Sequence, residues 1–205
     1  MNYGKWWGMS LMKNNFEIYN IDLPLLIKAM NYYQSAGYTP LSVPMIVSHE
    51  AIGVTLPSNI KAKQHCDGLL NGFYVGSAEQ SAYQMLADDS YISGKFMMLT
   101  PCQRSEAYLD CHHMETFLKL ELVQINTNIC TPIIDDVFSF LKKEFSNSEI
   151  EIVEDLFGNS SKDINVNGVE VGSYGYRNFE GNSVQYGTGL ALPRISQAIN
   201  SLLRE

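Results

Sequence analysis

The chain has 205 residues, 45% hydrophobic and 18% charged, with a net charge of −8, which suits one globular domain spanning 1–205. That acid excess, with no basic run, disfavours a protein that grips nucleic acid through phosphate contacts. No apolar run nears the ~18 residues of a membrane span, no secretory leader opens the sequence, and the four cysteines lack CxxC spacing, so a cytoplasmic protein with free thiols is expected.

Residues 1–20 are aromatic and polar without a clear period. LPLLIKAMNYYQSA (23–36) carries apolar side chains at helical spacing, with Pro24 tolerated in the first turn and Gly37 as a stop. YTPLSVPMIV is extended, because its two prolines forbid a helix. FYV (73–75) reads as a short strand, and SAEQSAYQMLADD as a helix of about three turns capped by Ser77. Residues 95–104 and 116–127 read as strands. TPIIDDVFSFLKKEF reads as a helix with Thr131 as cap and Pro132 at its first position. Residues 149–187 read as several short strands between Gly, Asn and Ser turns. In GLALPRISQAINSLLRE, a stripe of Leu192, Ile195, Ala198, Ile199 and Leu202 predicts a closing helix. This order predicts an α+β fold, an antiparallel sheet flanked by helices.

The densest chemistry lies in TPCQRSEAYLDCHHMETFLKLELVQI, residues 100–125. Strand alternation puts Arg104 and Glu106 on one face, and an antiparallel partner at 116–127 brings Phe117 and Glu121 to that face. Such a platform offers a fork for anionic oxygens, a ring for stacking and carboxylates for an amine, hydroxyl or metal, which is what a nucleoside triphosphate beside an amino acid requires. Arg194 follows the glycine-containing segment YGTGLALPR and opens a helix that points to the same sheet. On spacing alone, solvated or salt-bridged charges remain an open alternative. Cys111, His112, His113 and Glu115 are zinc-type ligands, but neighbours on one turn do not converge on one ion, so zinc is not expected.

These segments resemble the catalytic domain of the class II aminoacyl-tRNA synthetases, the seryl type most closely. GYTPLSVPMIV with TLP resembles the family's first motif, and FYVGSAE its amino-acid loop. TPCQRSEA with TFLKLELVQI resembles the second motif, and GTGLALPR the third. The resemblance covers residues 23–205 and implies ATP and Mg2+. It implies Arg104 at the α-phosphate, Glu106 at the adenine edge, Phe117 stacked on the ring, and Arg194 at the γ-phosphate. Glu170 and Ser173 stand where the family holds magnesium. Glu79 would take a substrate ammonium, and Ser77, Glu121, Tyr186 and Thr188 would line the amino-acid pocket.

The sequence departs from that family in four ways. No long helical arm precedes the catalytic segment, the tract between Arg104 and Phe117 is shorter, Tyr186 replaces an asparagine, and His113 replaces a γ-phosphate arginine. The resemblance with these departures implies ATP-dependent activation of a small amino acid as an aminoacyl-adenylate. The expected acceptor is a non-standard one, such as the phosphopantetheine thiol of a carrier protein. The alternatives are seryl-type charging of tRNA bound without an arm, and an inactive paralogue serving as a regulatory or binding subunit. A homodimer built on residues 23–47 and no membrane partner are also expected.

Overall fold

The computed structural model describes residues 20–55, 66–67, 72–88, 92–104, 113–127, 131–154 and 161–200. In chain order these form α1 (Leu23–Ser35), β1 (Thr39–Pro40), β2 (Ile46–Val47), α2 (His49–Gly53), β3 (Cys66–Asp67), β4 (Gly72–Tyr74) and α3 (Ala78–Asp88). There follow β5 (Gly94–Gln103), β6 (Thr116–Ile125), α4 (Ile133–Glu144), β7 (Ile150–Glu154), β8 (Lys162–Val166), β9 (Val169–Phe179), β10 (Asn182–Leu192) and α5 (Arg194–Asn200).

The alternating stretches β5 and β6 pair antiparallel from Gly94↔Ile125 to Gln103↔Thr116 and sit near the middle of a seven-stranded sheet. The strand order is β1-β5-β6-β10-β9-β8-β7, and β1 runs parallel to β5 while the other neighbours are antiparallel. A small antiparallel sheet, β2-β4-β3, stands beside it. Period-two alternation divides β6 between two layers. Leu120 and Leu122 pack under α1, α4 and α5, with Leu26, Tyr33, Phe140 and Ile195. Val123 and Ile125 pack under α2 and α3, with Ile52, Ala82, Tyr83 and Leu86. The fold is thus α+β, a mixed sheet between helices.

The helices start where side chains meet free backbone amides. Asp22 accepts from the Leu25 amide at 3.0 Å, and Ser77 accepts from the Glu79 amide at 3.3 Å. The helix expected to be capped by Thr131 begins one residue later, with Pro132 extended as its cap. Glutamines of the sheet displace the local cap. Gln124 donates to the Thr131 carbonyl at 3.1 Å, and Gln185 accepts from the Ile133 amide at 3.3 Å.

Among the described residues, 149–187 form only two of the expected short strands, β7 and β8, each of five residues, with an Asn167–Gly168 turn after β8. Instead β9 and β10 are each 11 residues long and meet at a two-residue turn, Glu180–Gly181, with φ of 48° and 81°. Gly168 and Gly181 are turn glycines as expected, but Gly175 and Gly187 are places where tyrosines lie against the sheet. A Cβ on Gly175 would stand 2.5 Å from the Tyr186 hydroxyl, and one on Gly187 2.3 Å from the Tyr174 ring. Leu192, expected in the closing helix, ends β10 instead. Leu202 lies outside the described residues.

One irregularity positions the site. Thr188 pairs with Glu121 but Leu190 pairs with Leu120, so Gly189 is an extra residue in β10. Tyr174 donates to the Thr188 carbonyl and Tyr33 to the Gly189 carbonyl, each at 2.8 Å. The bulge flips the strand's alternation. Tyr186 packs on the α3 side, whereas Leu190 and Leu192 enter the opposite core.

Candidate active site

The hairpin of β5 and β6 continues past its last ladder pair, because the Arg104 amide donates to the Glu115 carbonyl at 2.8 Å. Cys102 faces Phe117 in this register, so Arg104 stands beside that ring, its guanidinium carbon 5.1 Å from the centroid. Its Nε donates to the Gly76 carbonyl at 2.9 Å, which fixes the plane of the fork. An open cleft of about 150 Å3 lies against this pair. Arg104, Phe117 and Lys119 form one wall, Glu170 and Ser173 come from β9, and Thr188 and Arg194 close the far side. Arg194 Nη1 is 4.0 Å from Glu170 Oε1, a loose pair at an exposed carboxylate that an anion can displace.

Beside the cleft, and joined to it through Lys119, the sheet and α3 carry a charged floor. Glu121 is 1% exposed, and its Oε2 accepts from Lys119 at 2.7 Å and Ser77 at 2.6 Å. Glu79, at the start of α3, is 5% exposed. Its Oε1 accepts from Tyr83 and from Arg177, both at 2.5 Å. Burial pushes the Glu79 carboxyl above its usual range, although Arg177 and Tyr83 pull it down. Arg177 lies over the Tyr186 ring, 4.6 Å from its centroid. Burial also raises the Tyr83 phenol far above its ordinary value, so it donates as a neutral hydroxyl.

The structure brings Arg104, Phe117, Glu170, Ser173, Thr188 and Arg194 to one cleft. It sets Ser77 and Glu121 in one half of the floor, and Glu79 and Tyr186 in the other. His113 is exposed ahead of β6, and its neighbour Met114 lines the cleft. Glu106, Cys111 and His112 lie outside the described residues. Among the described residues, no three His, Cys, Asp or Glu side chains cluster in a way that suits a metal. A carboxylate and a hydroxyl, Glu170 and Ser173, beside two arginines nevertheless fit Mg2+, which retains waters and takes phosphate oxygens.

Two charged residues of this floor were not singled out as site residues from the sequence. Lys119 sits between Phe117 and Glu121 in the alternation, so the argument that grouped those two also places it on their face. Arg177 carries no local signal. Its place follows from the pairing of Arg177 with Val184, which sets it beside Tyr186.

Among solved structures, pyrrolysyl-tRNA synthetase PylSc of Desulfitobacterium hafniense matches with a TM-score of 0.66 at 15% identity, over 94% of this chain and 74% of that one. Seryl-tRNA synthetase of Pyrococcus horikoshii, solved with ATP, matches with a TM-score of 0.63 at 17% identity, over 87% of this chain and 49% of that one. The chain thus spans about half of the seryl enzyme. No protein-family model matches the sequence, and no curated protein does. The fold is that of class II synthetase catalytic domains, as the motif resemblance implied.

Proposed function

We propose that this protein activates an amino acid with ATP, forming an aminoacyl-adenylate and releasing pyrophosphate. The carrying observation is the single cleft that sets Arg104 and Phe117 opposite Arg194, Glu170 and Ser173. A carboxylate oxygen of the amino acid attacks the α-phosphorus, and the bond to the bridging oxygen of pyrophosphate breaks. No protein nucleophile is needed, because alignment and charge stabilisation supply the rate. Arg104 balances charge growing at the α-phosphate while Gly76 holds its fork in plane. Phe117 offers adenine the ring face not covered by Arg104, and Glu106 reads the base edge. Arg194 exchanges its loose contact with Glu170 for the γ-phosphate, with His113 as a weaker neighbour. Glu170 and Ser173 would hold Mg2+, which would supply positive charge to the phosphates. Glu79 takes the ammonium on its second oxygen, while Ser77, Glu121, Tyr186 and Thr188 shape the rest of the pocket.

The acyl group then passes to an acceptor other than arm-held tRNA, with a carrier-protein phosphopantetheine thiol to be tested first. The net charge of −8 and the short tract between Arg104 and Phe117 support that choice, although the fold itself serves a tRNA acceptor equally well. No helix among the described residues is long and apolar enough to cross a membrane. A second copy of the chain is expected against residues 23–47, where Leu23 and Ile27 of α1 are 57% and 58% exposed.

The test is ATP–pyrophosphate exchange across a panel of amino acids. Stimulated exchange supports activation, and its absence with every amino acid leaves the inactive-paralogue reading in place. Adding tRNA or a loaded carrier protein to a positive reaction separates the acceptors.

A pH effect follows from Glu79. Only its ionised form holds an ammonium, and its carboxyl titrates above the ordinary 4.5. The charged groups around it are Arg177 on β9 and Lys119 and Glu121 on β6. Amino-acid affinity therefore rises with pH through that raised value and is weakest below it, with one proton released on binding. The amino-acid KM measured between pH 4.5 and 8 checks this, and a KM flat over that range removes Glu79 from ammonium binding.

A further inference from the structure

The charge pattern of the floor narrows the substrate, on the condition that the activation reading holds. Two carboxylates, Glu79 and Glu121, meet two cations of the same chain, Arg177 and Lys119. The floor is therefore electrically balanced before a substrate arrives. A pocket that recognises only a small neutral side chain has no use for a guanidinium in it.

Arg177 is also held in an orientation. Nη1 meets Glu79 at 2.5 Å, and the face of the guanidinium rests on Tyr186. That ring is backed by Gly175, where no side chain intervenes. The Arg177 side chain is 31% exposed against 7% for Glu79, so the cation is the more reachable partner of the pair. A guanidinium carries five donors in a planar fork, and a carboxylate is the acceptor that matches it.

We propose that this pocket selects an amino acid whose side chain ends in a carboxylate, with Arg177 as the specificity-determining residue. An ammonium on the second oxygen of Glu79 shares with Arg177 the single negative charge that now pairs that guanidinium. A side-chain carboxylate gives Arg177 a replacement acceptor, so both charges stay paired. A neutral side chain leaves two cations, the ammonium and Arg177, on the one carboxylate of Glu79, and a basic one brings a further cation beside Arg177 and Lys119.

The experiment is pyrophosphate exchange by the full chain with aspartate and glutamate against asparagine, glutamine, serine, alanine and lysine. One of the acids is expected to exceed its own amide by ~100-fold or more in kcat/KM. Equal or better exchange with the amides, serine or alanine overturns the proposal while activation stands. No exchange with any amino acid overturns both. Arg177→Lys keeps a cation for Glu79 but loses the fork. It is expected to cut the acid-to-amide ratio about tenfold or more through KM, with the melting temperature near wild type. An unchanged ratio in that folded variant also overturns the assignment.

Discussion

Arg104→Ala is expected to lower ATP–pyrophosphate exchange by about a thousandfold, the loss found when one preorganised donor to a developing oxyanion is removed. The variant should remain folded. Arg104 leaves behind a hydrogen bond to the Gly76 carbonyl and a cation–π contact with Phe117, together about 1–2 kcal/mol at a half-buried site. For a chain of this size that lowers the melting temperature by several degrees. Arg104→Lys keeps the charge but loses the fork and should recover only part of the rate. Exchange and thermal unfolding are measured on the same preparations. Wild-type exchange by a folded Arg104→Ala protein would remove Arg104 from the site.

Glu121→Ala should have the largest effect on stability. Glu121 is 1% exposed, and its partner Lys119 has an 11% exposed side chain, so the pair is largely out of water. Without Glu121 the ammonium keeps, among the described residues, the Ser77 hydroxyl at 3.3 Å, and breaking a buried pair by removing one partner costs about 3–5 kcal/mol. The double variant Lys119→Met/Glu121→Leu removes both charges and should return to within about 1–2 kcal/mol of wild type in urea unfolding, because two apolar side chains replace a desolvated pair. Exchange should stay lost in the double variant, since the floor then lacks the groups that face the substrate. A single variant as stable as wild type would show that water reaches the pair.

The wall of the cleft was legible along the chain because it depends on neighbours two apart. Alternation alone placed Phe117 and Glu121 on one face, and the same rule extends to Lys119. The helix starts at Asp22 and Ser77 were local too, since a short polar side chain reaches an amide two or three residues away. The start of α4 was not, because Gln124 and Gln185 arrive from strands that only the folded sheet brings there. Gly175 and Gly187 misled for a related reason. A glycine in isolation signals a turn, but here it clears room for a tyrosine from the next strand.

Short-range periodicity and the order of the motifs were therefore enough for the fold class and for Arg104, Phe117 and Arg194 as a group. Which charges pair in the floor depends on strands far apart in the chain. Arg177 and Glu79 are separated by 98 residues, and their contact requires β9 to register against β10 beneath α3. No local pattern encodes that register. The Gly189 bulge adds a flip of alternation that a strict period of two does not contain, and through it Thr188 faces Glu121 while Leu190 enters the opposite core. Tertiary packing alone made the floor a balanced set of four charges, because the Arg177–Glu79 pair joins β9 to α3 and the Ser77 hydroxyl ahead of α3 ties in the Lys119–Glu121 pair of β6.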